Sequence, residues 1–268
     1  MNKILLVLTV AFALFFPGCR IWEDRQGCPS YLEVDCSLFE GKALSADIWL
    51  FSSEGQLVQR LRITEHEFYQ PQRFSVPKGD YKCFVWANVG ENTIVSDANT
   101  LGGAFYKKSG SSADQLYSFS TEKTCYQEVE YIKAIPKKMF IDVYVTVKGL
   151  QAGDCVDLEL RSDWGGRTLS GEGVRQEAVV DATTSDWTLM RVLRPQTLEN
   201  LFITAFFRFE GGTSLASGFN LGAFLQMNNY DISSADLKDV HLTIDVNKLK
   251  AGIGVDPFEV VPPVVISF

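Results

Sequence analysis

The sequence predicts an all-β protein made of two β-sandwich domains in tandem. Apolar residues alternate with polar ones along many short segments, and turn signals rich in Gly and Pro separate these segments. No long stretch repeats with the period of an amphipathic helix. Many short strands of this kind are typical of sandwiches and barrels.

The predicted strands follow this alternation in order along the chain. In the first one, Leu32, Val34 and Cys36 point to one face, while Glu33 and Asp35 point to the other. The further predicted strands cover residues 47–52, 57–63, 73–76, 80–88, 141–148, 156–161, 201–209 and 240–247. Residues 96–115, with paired glycines and a serine-rich stretch, are predicted to form a long loop in the first domain.

A domain boundary is predicted near residues 134–138. Ile135, Pro136, Lys137 and Lys138 have the character of a short polar hinge, because a proline cannot donate to the ladder of a central strand. The predicted domains are residues 30–135 and 139–268. Each has enough strands for one sandwich.

The N-terminal residues have the pattern of an export signal. Lys3 precedes an uncharged apolar run over residues 4–16, which is shorter than the roughly 20 residues that span a bilayer. Gly18 then precedes Cys19, as in a lipoprotein cleavage site. We therefore expect residues 1–18 to be a signal peptide, Cys19 to carry lipid, and residues 19–29 to form a tether. The alternative is an ordinary cleaved signal with Cys19 merely nearby.

The charge balance excludes some classes of function. The chain has 25 Lys and Arg against 33 Asp and Glu, a net charge of −8, and no basic run. Such a chain is a poor binder of nucleic acid, so no nucleic-acid partner is expected. Beyond the N-terminal run, no segment is long and apolar enough to cross a membrane.

The cysteine and histidine pattern predicts no metal site and no cofactor. Five cysteines follow Cys19, and no two are spaced as C-x-x-C. They are Cys28, Cys36, Cys83, Cys125 and Cys155. Their pairing stays open, although Cys36 and Cys83 fit packed thiols in strands, so no disulfide essential to the fold is expected. His66 is predicted in a surface loop and His241 on the outward face of a strand.

Catalytic signatures are missing from the sequence. It contains no G-x-S-x-G, phosphate-binding loop or H-E-x-x-H motif, so we expect no catalytic residues and no enzyme. Trp49, Trp86, Trp164 and Trp187 are open to two interpretations, a sugar-binding platform or packing on strands, and packing is the commoner use.

Two segments carry a family resemblance. Asp47 to Val58 has the pattern of a strand, an acidic-glycine turn and a strand, and Phe74 to Asn88 contains Pro77-Lys78-Gly79-Asp80-Tyr81 before a second strand. Together with Cys19 and Cys28-Pro29, this pair resembles the FimB-type fimbrial anchor lipoproteins of Bacteroidales. The resemblance implies two transthyretin-like β-sandwich domains and a place at the base of a fimbria in the outer membrane. Its implied partners are the fimbrial stalk subunit and, through lipid on Cys19, the membrane.

The C-terminal residues form a candidate donor strand. The segment comprises Val264, Val265, Ile266, Ser267 and Phe268, and its apolar side chains alternate after Pro262-Pro263. Fibre subunits that polymerise by strand addition use such an extended segment to complete a neighbour's sheet. The alternative is that the segment pairs within its own chain as the last strand of the second sandwich.

Competing functions for the whole protein are a surface glycan-binding lipoprotein of a nutrient-uptake system and a lipoprotein hydrolase.

Overall fold

The computed structural model describes residues 29–212, 214–247 and 258–261, and it confirms the all-β prediction. The strands are β1 (Ser30–Asp35), β2 (Ser45–Ser52), β3 (Leu57–Thr64), β4 (Gln72–Val76), β5 (Gly79–Ala87), β6 (Thr93–Ser96), β7 (Ala104–Lys107), β8 (Tyr117–Cys125), β9 (Val129–Lys133), β10 (Lys137–Lys138), β11 (Phe140–Lys148), β12 (Cys155–Ser162), β13 (Gly166–Thr168), β14 (Gly173–Val174), β15 (Ala178–Thr184), β16 (Trp187–Leu193), β17 (Phe202–Arg208), β18 (Ser214–Phe219), β19 (Val240–Asp245) and β20 (Phe258–Val261). The helix α1 spans Leu221–Met227, and short 3₁₀ turns lie at Ser37–Phe39 and Glu65–Glu67. Within these described ranges, no helix is long and apolar enough to cross a membrane.

Two sheets enclose the core of the first half. The smaller sheet has the order β4-β1-β9, and the larger one has the order β10-β8-β5-β2-β3. Leu32, Val34 and Phe74 of the smaller sheet pack against Ile48 and Val85 of the larger one, as the alternation of β1 predicts.

The central strands β2 and β5 of the larger sheet are buried on both faces. Ile48 and Leu50 of β2 face the first core, while Trp49 and Phe51 face a separate cluster on the opposite side. The same holds for β5, whose residues 83–87 are all buried. An alternation of apolar and polar residues was predicted here, but these strands are continuous apolar runs because a second layer covers them.

The second half has its own two sheets and core. One sheet has the order β16-β11-β19-β20, with β11 and β19 parallel, and the other has the order β15-β12-β17-β18. Their inward side chains, among them Ile141, Leu158, Ile203, Phe207 and Leu242, form a single cluster that α1 also covers through Leu221 and Leu225.

A fifth sheet joins the two halves, where a loop was predicted. Its order is β14-β13-β7-β6, so strands of the first half pair with strands of the second. In the β7–β13 register, Phe105 lies opposite Arg167. The prediction of a long loop over residues 96–115 is therefore wrong at β7, which pairs with β6 and also with β13, some 60 residues away along the chain.

The segment between the halves is not a free polar hinge. Lys137 and Lys138 form β10, which pairs with Ser118 and Tyr117 of β8. Lys138 is 8% exposed, and its Nζ donates to Leu237 O at 3.0 Å and to Asp239 Oδ1 at 2.6 Å. A lysine that reads as polar in sequence thus ties the connection to the second half. The limits of the two proposed domains stay a prediction.

Candidate interaction site

The outer edge of the β11–β19 sheet is the candidate interaction site. β20 pairs antiparallel with β19, with His241 opposite Val261 and Ile244 opposite Phe258. No strand among the described residues lies on the other side of β20, so β20 forms the edge of the sheet within this part of the chain. An edge strand presents unpaired backbone groups, which can accept a strand from another chain.

The sequence of β19 explains why this edge forms. Val240, Leu242 and Ile244 are buried in the second core, and His241 faces outward, as predicted. The His241 ring stacks on Tyr144 of the neighbouring β11, with ring centroids 4.7 Å apart and planes at 7°. Parallel pairing with β11 and this stacked pair fix the position of β19, on which β20 lies.

The sequence-predicted site residues at the two ends lie outside the described residues. Cys19 and the donor-strand candidates Val264, Val265, Ile266, Ser267 and Phe268 belong to this group. The part of the C-terminal region that the structure describes, β20, ends at Val261, shortly before the candidate donor strand. The lipidation and the donor role both stay predictions.

An aromatic cluster holds the two halves together. The Phe105 ring lies 4.3 Å from the Trp86 ring and 5.9 Å from the Trp49 ring, measured between centroids. Trp86 Nε1 donates across the halves to Leu169 O at 2.8 Å. Trp49 and Trp86 are fully buried, which confirms the packing interpretation for both of them.

The other two tryptophans do not join them. Trp164 is half-buried with the Arg175 guanidinium 5.6 Å from its ring centroid, and Trp187 is 62% exposed. A sugar-binding platform that combines the four tryptophans is therefore not present.

A buried lysine adds a polar tie between the halves. Lys107 Nζ donates to Lys108 O at 2.7 Å, Ser111 O at 2.8 Å and Val179 O at 2.6 Å. The third acceptor belongs to β15 of the second half. Burial lowers the pKa of Lys107 to about 8, while three carbonyl acceptors match the three donors of its ammonium group.

A groove of about 750 Å³ runs along the junction of the halves. Asn88, at φ 59°, organises its wall: its Nδ2 donates to Lys42 O and Gln115 O, and its Oδ1 accepts from Leu44 N. Asparagine tolerates this left-handed backbone, and its amide can satisfy donors and acceptors of several loops at once. Arg191, which also lines the groove, is paired with Asp142, with Nη2 and Oδ2 3.1 Å apart.

The remaining residues considered in the sequence analysis are the histidines, the possible metal ligands and the cysteines. His66 is exposed, as predicted, and forms part of a 3₁₀ turn capped by Thr64 and Glu67. Within residues 29–212 and 214–247, no three His, Cys, Asp or Glu side chains are arranged to hold a metal. Cys36, Cys83, Cys125 and Cys155 are free thiols, and the first three are buried.

Solved structures of Bacteroidales proteins resemble this chain. The fimbrial anchor protein Mfa2 from Porphyromonas gingivalis matches with a TM-score of 0.58 and 13% identity, over 81% of this chain and 91% of that one. A candidate polysaccharide-binding protein from Bacteroides thetaiotaomicron matches with a TM-score of 0.61 and 12% identity, over 81% and 91%. A candidate adhesin from Bacteroides ovatus matches with a TM-score of 0.60 and 11% identity, over 81% and 88%.

The chain shares their fold. At such identities the likeness establishes the architecture, and the aligned region covers most of each of these chains. No family model matches the sequence, and no curated protein sequence matches it.

Sequence reasoning missed the residues that join the halves. Lys107, Lys138 and Arg167 are buried, although their residue types are usually exposed. The continuous apolar runs of β2 and β5 were the available signal, because a strand that is apolar on both sides needs a second covering layer. No comparable signal in the sequence marks the buried basic residues.

Proposed function

We propose that this protein is an outer-membrane lipoprotein that serves as an anchor or accessory subunit of a fimbria and joins the polymer by β-strand addition. The observation that carries the proposal is the fold shared with the fimbrial anchor protein Mfa2 over 81% of the chain. The motifs around residues 47–58 and 74–88 and the lipoprotein-type start at Cys19 support it independently.

The sheet edge gives the proposal a physical route. Among the described strands, β20 is the last one of its sheet, and the candidate donor strand, residues 264–268, follows it in sequence after Pro262-Pro263. A donated strand contributes main-chain hydrogen bonds, while its alternate apolar side chains fill pockets of the acceptor. Because the N-terminus is proposed to be held in lipid, the C-terminus is the end that remains for the fibre.

Measuring the retention of fimbriae on cells tests the lipid anchor at Cys19 and the donor role of residues 264–268 separately. We expect Cys19→Ala to release the protein, together with attached fimbriae, from the membrane, because the lipid is lost. Deletion of residues 264–268 should leave the protein in the membrane while fimbriae are shed into the medium. Membrane fractionation and immunoblots of cells and medium distinguish the two results.

The matched control is Phe202→Ala, on an exposed position of the other sheet, which should change neither readout. If the truncated protein retains fimbriae at the wild-type level, the donor-strand role is wrong. If Cys19→Ala still fractionates with the membrane, or if the wild-type protein carries no acyl label, the lipid anchor is wrong.

Surface glycan binding is the second candidate function. It is favoured by the fold shared with a candidate polysaccharide-binding protein and by the open groove of about 750 Å³. The buried state of Trp49 and Trp86 removes the aromatic platform that would have supported it. Retention on a glycan array, abolished by substitutions in the groove but not by deletion of residues 264–268, would favour this function over the first.

A further inference from the structure

A second, smaller pocket, lined by the connecting strand β10 and by residues of the second half, has an unusual concentration of positive charge. Its volume is about 320 Å³, and Lys137 of β10, Arg167 of β13 and Arg194, directly after β16, contribute to its lining. The one acidic residue among the lining residues is Glu172, which is exposed. The charges of the lining therefore sum to a positive value.

Arg167 lacks partners for much of its guanidinium group. The residue is 2% exposed, and its Nη1 donates to Gly171 O at 3.0 Å and to Gln196 Oε1 at 3.3 Å. Its Nε and Nη2 are buried and make no hydrogen bond with any described residue. Nor does a carboxylate of the described chain form an ion pair with it. A buried cation with open donors is costly, so a partner that supplies oxygen atoms would stabilise it.

The neighbouring basic residues add to the excess of positive charge around Arg167. Arg194 donates from Nη1 to Lys138 O at 3.1 Å and from Nη2 to Ile232 O, and both of these acceptors are neutral carbonyls. Burial lowers the pKa of Arg167, and the charge of Arg194 lowers it further. Burial also lowers the pKa of Lys137, with further contributions from Arg194 and Arg167. The three cations are thus close enough to repel one another. Burial lowers the pKa of Arg194 as well, and the charges of Tyr230 and Asp231 offset part of this effect.

We propose that this pocket binds a small organic anion of about the size of a monosaccharide, which presents a carboxylate or phosphate group to Arg167. A guanidinium fork matches two oxygens of either group in a bidentate arrangement. The volume lies at the lower end of the roughly 300–1,000 Å³ typical of small-molecule sites, and it far exceeds the roughly 30 Å³ that one water occupies. It therefore has room for a ring that carries the anionic group. This inference does not depend on a fimbrial role.

Calorimetric titration of the purified protein tests the pocket. The probes are glucuronate and glucose 6-phosphate, with glucose as the neutral match and inorganic phosphate as the bare anion. We expect at least one of the two organic anions to bind and glucose not to bind. Arg167→Gln should weaken that binding by about tenfold or more, since it removes the charged fork. Lys137→Gln should weaken it by a smaller factor, because Lys137 is exposed at the rim.

Arg208→Gln is the matched control. Arg208 is exposed and paired with Asp157, and both residues lie on a sheet that does not line the pocket, so this variant should bind like the wild type. If Arg167→Gln does not fold, Lys137→Gln alone decides. The proposal is overturned if neither organic anion binds at millimolar concentration, or if Lys137→Gln binds as tightly as the wild type. Binding of inorganic phosphate alone overturns the assignment to an organic anion.

Discussion

Buried basic residues are the unusual feature of this protein at the scale of single side chains. Lys107 is 5% exposed, and its ammonium group donates to three backbone carbonyls from both halves of the chain. A buried charge of this kind is tolerated because every donor has an acceptor. Its removal leaves three carbonyls without their partner.

Lys107→Met should therefore lower the free energy of unfolding by about 1–3 kcal/mol. The loss should also depend on pH. Burial lowers the pKa of Lys107 to about 8 from 10.5, so between these values the unfolded chain binds more protons than the folded one. The stability of the wild type relative to Lys107→Met then rises as pH increases from 8 to about 10.5. Urea denaturation of both proteins at several pH values measures this difference, and the exposed Lys108→Met is the control. A difference that falls with pH would contradict the assignment.

The thiols give a second prediction at this scale. Burial raises the pKa of Cys36 to about 12 and that of Cys125 to about 11, and it raises the pKa of Cys83 as well. Thiolates, not thiols, react with alkylating reagents. In a variant without Cys19 and Cys28, we expect iodoacetamide at pH 8 to label Cys155 first and the other three only after unfolding. Mass spectrometry of the labelled peptides measures the order. Rapid labelling of Cys83 in the folded protein would show that its strand opens readily.

At the scale of elements, β20 and the residues after it should behave differently when removed. Deletion of residues 264–268 leaves β20 on β19 and should leave the unfolding midpoint nearly unchanged. Deletion of residues 258–268 also removes the strand that pairs with His241–Ile244, which exposes β19 as a new edge. We expect this longer deletion to lower the midpoint and to promote association through the open edge. Chemical denaturation and size-exclusion chromatography measure both effects. Equal stability of the two truncations would mean that β20 contributes nothing to the sheet.

Strand prediction from the sequence succeeded where one face of a strand is buried and the other is exposed to solvent. β1, β12 and β19 show this alternation, and their positions agree with the structure within a few residues. It failed at β7 and β13, which are short and which pair with each other across the two halves, because local patterning carries no information on distant pairing. For the same reason the positively charged pocket was not foreseen, since Lys137, Arg167 and Arg194 meet only through the fold.

At the scale of the whole molecule, the shared sheet and the aromatic cluster should make the two halves unfold together. Phe105 is fully buried against Trp49 and Trp86, and its strand pairs with β13 of the second half. Phe105→Ala should lower the free energy of unfolding by about 3–5 kcal/mol. It should also separate the single thermal transition expected of the wild type into two. Differential scanning calorimetry measures both, and Phe206→Ala, at a 45% exposed position, is the control. A single transition in Phe105→Ala at an unchanged temperature would contradict this coupling.

The position of β1 has a mechanical consequence. β1 starts at Ser30, and it lies between β4 and β9 instead of at an edge. A pull on the chain before Ser30, as a lipid tether would exert against a fibre under flow, acts along the axis of this strand. The ladder bonds to β4 run across that axis, so they are strained in shear together with those to β9 and share the force. An edge strand peeled from one end would lose its bonds one after another. We therefore expect the first half to resist extension best when it is pulled from the end that the proposed tether occupies.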